Sequence, residues 1–360
     1  MHYFLISAKF HRLTRFPAKT NFPLPERHRY SNFDQLMKRI SKNCLLIAIA
    51  AFGALSAGIA SAADLVPVTV DGKWGFADKN GKLVASGIYE RAEPFSEKLA
   101  AVRLSRWGYV DESGKICVNP QFDDAGSFAG GFAAVSLGKR YGYINTNGKY
   151  VVNPQFDAAD VFADGLAAVK LDHKWGYIDG SGKMVINYQF DEAKAFSEGL
   201  ADVKNGHLYG YIDNSGKFVV NPQFAEAQPF SEGLAGVKMD HTWGFVDKTG
   251  KITINPQFED VGPFSKGLAP ARMDKRWGYI DTTGHFVVNP QFDDAGSFSE
   301  GFARVALAKR WGYVDHTGIF SINPQFDEAG DFRGGLAMVK IGRTLGYIDQ
   351  SGKYVWNPMK

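Results

Sequence analysis

The sequence predicts an all-β protein made of nine tandem units, on three observations. An aromatic-Gly dipeptide recurs at Trp74, Trp107, Tyr141, Trp175, Tyr209, Trp243, Trp277 and Trp311, with Leu345-Gly346 as a ninth copy. From Trp107 onward every step is 34 residues, and the first step is 33. Asn-Pro recurs in mid-unit, as at Asn119-Pro120 and Asn289-Pro290, each unit carries several Gly, and its apolar residues alternate with period two, which excludes the helical repeats of similar length.

Each element follows from local chemistry. The first strand reads Leu-Ala-x-Val-Lys, with small apolar residues at fixed positions. The residue between them varies: Ala101, Ala134, Ala168, Asp202, Gly236, Pro270, Arg304, Met338. That alternation predicts one face turned in and one turned out. Pro67 and Pro270 fall at the variable position, so that amide is expected to point away from a ladder partner. The second strand is Trp-Gly-Tyr-Ile-Asp. The Gly after each Trp is expected to let another aromatic lie against the backbone. The third strand is Lys-x-Val-Val-Asn, and the following Pro is expected to end it. Asp-x-x-Gly-Lys joins strands two and three, with Gly at all nine positions from Gly81 to Gly352. This predicts a type I turn closed by a left-handed residue, with the Asp bonding back to the turn amides. That role outweighs calcium binding, because the spacing lacks the alternating acidic ligands of a calcium loop.

One such unit buries too little to stand alone, so neighbours must complete it. The reading is nine three-stranded meanders of about 34 residues in an open solenoid-like array, with a β-propeller as the alternative. Three features favour the open form. No unit is split between the two ends, the unit is short for a four-stranded blade, and nine blades would be many. The end units are atypical, as caps of a repeat array are expected to be. The first has Ala85-Ser86-Gly87-Ile88-Tyr89 where others have Asn-Pro-Gln-Phe, and the last replaces Trp with Leu345.

The chain divides into three segments. Residues 64–360 form the array. Residues 37–63 read as a signal peptide: Lys38, Arg39 and Lys42 precede an uncharged run from Cys44 to Ala60, and Ala60-Ser61-Ala62 supplies small residues for cleavage after Ala62 or Ala63. Residues 1–36 show no period and read as a gene-model extension or an unstructured stretch. The expected destination is periplasmic or secreted, with no stable membrane span once the signal is removed.

The 360 residues carry 41 Lys+Arg and 38 Asp+Glu, a net charge of +3. Nine basic and two acidic residues lie in 1–63, which leaves 32 basic and 36 acidic residues in the array. No strongly basic domain of the kind that binds nucleic acid remains. Cys117 is the sole cysteine of the array and stands where other units have Val, so it is expected to be a buried small residue.

The quoted signature is Trp-Gly-Tyr-Ile-Asp, Gly-Lys, Asn-Pro-Gln-Phe-Asp and Phe-Ser-Glu-Gly-Leu-Ala. It resembles the WG-repeat family of bacterial exported and surface proteins from Asp64 to Lys360. The resemblance implies a β-repeat module without general enzymatic activity, and it carries over no functional residues. Similarity to choline- and glucan-binding repeats is weaker, because those units are shorter and their Trp pattern differs.

No catalytic constellation, phosphate loop or metal-spaced cysteine set appears, and the abundant carboxylates recur with the unit. The expectation is therefore a protein that is not an enzyme and takes no cofactor and no metal. The turns before each Trp are basic, and Lys139, Arg140, Lys174, Lys275, Arg276, Lys309 and Arg310 are the candidate ligand-binding residues. Stacked units would align them into a ridge for an anionic polymer, or they serve as solvated turns. His173, His207 and His241 share one position in these turns. Two functions stay open. One is a scaffold that binds a protein partner through an extended repeat surface. The other is an envelope-polysaccharide binder using the basic ridge and exposed aromatics.

Overall fold

The computed structural model describes residues 65–357. The stretch at 1–36, read as a gene-model extension or unstructured, and the expected signal peptide at 37–63 lie outside the described residues. The described residues form nine small antiparallel sheets, one per unit, numbered here as blades 1 to 9.

Blade 1 contains β1 (Leu65–Val70), β2 (Lys73–Asp78) and β3 (Leu83–Tyr89). Blade 2 contains β4 (Arg91–Ala92), β5 (Leu99–Arg103), β6 (Trp107–Asp111) and β7 (Ile116–Phe122). Blade 2 is the pattern for the rest: eight of the nine sheets are four-stranded, in sequential order. The fourth strand, β4 and its equivalents, spans two residues in every four-stranded blade except blade 4, where it runs Ala158–Ala163, and was not expected from sequence. Strand β7 also runs further than expected, through Asn119-Pro120-Gln121-Phe122. A bulge lets it do so, because Trp107 pairs with Phe122 while Tyr109 pairs with Val118. Proline is tolerated there because the ladder is already interrupted.

The Gly after Trp sits opposite this bulge. A Cβ on Gly108 would lie 2.5 Å from the Val118 carbonyl oxygen and 2.7 Å from the Pro120 nitrogen. The neighbouring strand's backbone, not an aromatic ring, excludes a side chain. Gly346 is the exception, with the Tyr354 ring 2.8 Å away. The Asp-x-x-Gly turn forms as expected. Gly114 has φ 80°, and Asp111 accepts from the amides of Ser113 at 2.9 Å and Lys115 at 3.1 Å. Gly262 N–H donates to the Pro270 carbonyl, so the Pro270 nitrogen faces the short strand and costs no bond to the Trp strand.

The central strands of each sheet are buried on both faces, which corrects the expectation of one face turned out. On β5, Ala100 and Val102 pack with Phe76 and Tyr89 of blade 1. Leu99 and Ala101 pack with Phe128 and Ala133 of blade 3. A sheet with two buried faces needs a neighbour on each side, and a closed ring supplies both.

The ring does close, so the open solenoid-like array is wrong and the fold is a nine-bladed β-propeller. Val68 and Ala77 of blade 1 pack with Leu336 and Tyr347 of blade 9. In the regular blades, the turn Gly of one unit sits on the third strand of the preceding one, as Gly318 sits on Val288. Gly81 of blade 1 also meets the third strand of blade 9, but there it faces the backbone carbonyl of Val355, one residue off the regular register. The atypical end units are therefore the two sides of a seam. A shared sheet is not needed to close the ring, because face-to-face packing closes it.

Cys117 is exposed, against expectation. Its position points off the free face of the edge strand, where Val185, Val219 and Val287 are exposed too.

Candidate functional site

In blades 4, 7 and 8 the basic turn is a two-residue hairpin with both residues left-handed: Asp172 (φ 46°) with His173 (φ 71°), Asp274 (φ 51°) with Lys275 (φ 63°) and Ala308 (φ 50°) with Lys309 (φ 65°). This geometry matches the twist of the flanking strands. Lys139, Lys275 and Lys309 are exposed at the hairpin tips, and Arg140, Arg276 and Arg310 are exposed beside them. Lys174 is partly covered.

The structure pairs this basic row with an acidic one. Arg140 binds Asp157, Arg276 binds Asp293 and Arg310 binds Asp327. Lys174 lies 2.6 Å from Asp191, and Arg106 lies 3.3 Å from Asp123. Each of these Asp residues belongs to the strap that crosses from one blade to the next. Its carboxylate also accepts a backbone N–H from the next blade's hairpin, as Asp123 does from Gly138 at 2.7 Å and Asp191 from Gly206 at 2.8 Å. The hydrogen bond from Lys174, then that from Gly206, hold the Asp191 carboxyl below its ordinary pKa. The row is thus a set of interblade clamps with balanced charge. Sequence reasoning could have found the partner, since an Asp stands 17 residues after the basic residue in all five cases.

The aromatic-Gly ring is not a groove. Trp107 and Trp243 are each 6% exposed, and the other Trp residues are half-buried. Strand-one cations cover their faces: Lys170 lies 5.9 Å over Trp175, and Lys238 lies 5.8 Å over Trp243. The Tyr of Trp-Gly-Tyr reaches into the next blade. Tyr109 donates to the Gly126 carbonyl and Tyr279 to the Gly296 carbonyl, both at 2.8 Å. Burial pushes these phenols well above their ordinary pKa.

Phe-Ser-Glu-Gly is also an interblade device. Phe128 meets Tyr109 edge-on, with centroids 4.8 Å apart. Ser231 Oγ donates to the Phe264 carbonyl and Ser265 Oγ to the Phe298 carbonyl, both at 2.7 Å. Glu232 accepts from the amides of Lys266 and Gly267 at 2.7 and 2.8 Å.

One polar residue departs from this economy. Asp202 is 1% exposed, and neither carboxylate oxygen has a hydrogen-bond partner. Burial raises its pKa to about 7, against the opposing pull of Lys194. The sequence signal was a lone acid in a series of mostly small residues. His173, His207 and His241 are exposed. Among the described residues no group of three His, Cys, Asp or Glu side chains is placed to hold a metal ion. No helix among them is long and apolar enough to cross a membrane.

A second feature lies at the seam. A cleft of about 500 Å³ is lined by Thr69, Val70 and Asp71 on one side and by Tyr354, Val355 and Trp356 on the other. Trp356 Nε1 is buried there without a partner.

The description "WG containing repeat" matches this sequence eight times, over residues 74–105, 107–141, 141–175, 175–207, 209–240, 243–277, 277–308 and 311–343. No curated protein matches it. Among solved structures, a crystal structure of a eukaryotic initiation factor is similar at 11% identity and a TM-score of 0.59. That likeness covers 81% of this chain and 95% of the other, and it concerns the fold alone. Apo AztD from Citrobacter koseri is similar at 11% identity and a TM-score of 0.42, over 81% of this chain and 92% of the other.

Proposed function

We propose that this chain, which belongs to the WG containing repeat family, is an exported, non-enzymatic scaffold that binds a protein partner. The observation that carries the proposal is which side chains the blades leave outside. The aromatic and charged motif residues are spent between blades. The large apolar residues left exposed among the described residues are aliphatic, and most lie on edge strands, such as Val84 at 40%, Val185 at 43%, Val219 at 44% and Val287 at 51%. A glycan binder stacks sugars on exposed aromatic rings, and here the Trp rings are covered. Scattered aliphatic side chains beside open backbone edges suit a protein surface.

Export rests on the leader at 37–63, and the lack of catalysis on the repetition of every carboxylate. The test is retention of envelope proteins, peptidoglycan and envelope polysaccharides on the purified protein. Capture of one protein species without glycan binding is the expected result. Salt-sensitive retention of a polysaccharide through Lys139, Lys275 and Lys309 would replace this reading with the envelope-binding one.

A further inference from the structure

Where a strap crosses the first strand of its blade, two positions meet. The strap residue donates its N–H to the carbonyl of the variable residue on that strand. Glu93 bonds Ala101 in this way, Gly126 bonds Ala134, Gln228 bonds Gly236, Gly262 bonds Pro270, Gly296 bonds Arg304 and Gly330 bonds Met338, all at 2.8 or 2.9 Å. The two side chains share one space. A Cβ on Gly296 would lie 2.8 Å from Arg304 Nε, and one on Gly236 would lie 2.7 Å from Gln228 Oε1. Each of these pairs keeps one member small, Gly or Ala.

Blade 5 breaks the rule. Its pair is Lys194 and Asp202, and the bond from the Lys194 N–H to the Asp202 carbonyl is the longest of the set, at 3.2 Å. Opposite charges stand on paired backbones, yet they do not meet. The Lys194 side chain is exposed. Asp202 is 1% exposed, and neither carboxylate oxygen has a hydrogen-bond partner.

The other titratable groups around that carboxylate are engaged. Glu192 of the same strap binds Lys204 at 2.8 Å and accepts from the Tyr209 hydroxyl at 2.6 Å. Tyr177 of blade 4 donates to the Lys194 carbonyl and Tyr211 to the Gln228 carbonyl, both at 2.8 Å. Asp160 of the blade 4 strap accepts from the Val161 amide at 2.8 Å and adds a negative charge that Asp202 feels. Lys194 is the cation left to answer Asp202, and it pulls on both buried carboxyls.

We propose that Lys194 and Asp202 form a proton-controlled latch on the blade 5 strap. With Asp202 protonated, Lys194 stays in solvent, the arrangement seen in this structure. When the proton leaves to solvent, the Lys194 ammonium turns in over the carboxylate. An ionised carboxylate buried without a partner is costly, and a four-carbon stem on the paired residue can reach it. Turning in strips hydration from the ammonium, which the buried charge offsets only when Asp202 is ionised. Burial raises the Asp202 carboxyl to about 7, so the latch turns over near neutral pH. The Lys194 backbone bonds both Tyr177 of blade 4 and Asp202 of blade 5, so the latch acts on the strap between those blades. It goes beyond the scaffold reading and stands or falls without it.

The test uses the full chain and a short pulse of amine methylation, read by mass spectrometry as the labelling of Lys194 relative to exposed Lys183 in the same molecules. That ratio should fall roughly fivefold or more between about pH 5.5 and about pH 8.5, as the latch closes. In Asp202→Asn, with circular dichroism confirming the fold, the ratio should stay constant. A constant ratio in the parent protein, or the same fall in Asp202→Asn, overturns the latch. A second variant needs no buried substitution. Without the ammonium in Lys194→Gln, folded Asp202 holds its proton more tightly. The fall in stability with rising pH should then run on about one pH unit further than in the parent protein. Thermal unfolding across pH reads this, and identical profiles for the two proteins would also overturn the proposal.

Discussion

The interface between blades 6 and 7 and the seam between blades 9 and 1 do the same job with different parts. Between blades 6 and 7, Phe264 packs on Phe245 with centroids 4.8 Å apart, within a cluster that includes Trp243, Ile254 and Phe258. Ser231 and Glu232 bond across to the next unit, beside a continuous strap. At the seam, four buried residues, Val68, Ala77, Leu336 and Tyr347, carry the contact, with half-buried side chains around them. The difference shows what the motif is for. The repeated aromatic, Ser and Glu residues hold one blade to the next, and where they are lost the ring still closes by face packing, with less to hold it.

The largest expected effect compares the two interfaces directly. Phe264→Ala removes a fully buried ring and should cost about 3–5 kcal/mol in chemical unfolding. Tyr347→Ala should cost clearly less, because among the described residues no Phe packs on its ring. Equal losses would mean that the seam is packed like any other interface.

Asp202 gives the next effect, of opposite sign. Its folded pKa of about 7 lies above the unfolded value of about 4, so the native state holds the proton more tightly. Stability therefore falls as pH rises between those values and then levels off. Asp202→Ala, the residue of blades 2 to 4 at this position, should stabilise the protein by about 2–4 kcal/mol at pH 8. The gain should shrink toward pH 4. Thermal unfolding of both proteins across pH checks this, and a pH-independent difference would contradict the buried carboxylate.

The smallest effect concerns the clamps. Arg276 and Asp293 are 48% and 36% exposed, so Arg276→Ala should cost less than about 1 kcal/mol, and the loss should shrink in high salt. A larger, salt-insensitive loss would make the clamps as important as the rings they accompany.

Much of the blade was legible in sequence because its constraints are local. Gly81 to Gly352 announce a left-handed residue whatever surrounds them, and the alternation around Ala100 and Val102 announces a strand. The short strand Arg91–Ala92 was not legible, since two residues carry no period. Burial of both faces was missed because Ala101 and its counterparts vary, and variation was taken for exposure. Each fits a different neighbour instead, from Gly236 beneath Gln228 to Arg304 reaching Asp331 at 2.8 Å. Ring closure was not legible because a 34-residue period suits an open array and a ring alike. The rotation per unit, which sequence does not state, decides between them. Arg140, Lys174, Arg276 and Arg310 were read as part of a free basic ridge because each Asp partner lies in a different motif, 17 positions away.

Closure of the ring is the central claim, and paired spin labels test it most directly. With Cys117 replaced by Ser, labels at Asn80 and Val355 span the seam, and labels at Thr317 and Val287 span the equivalent regular interface. A closed nine-bladed ring predicts the same short distance for both pairs. A seam distance several times longer than the regular one, approaching the length of nine stacked units, would contradict the propeller.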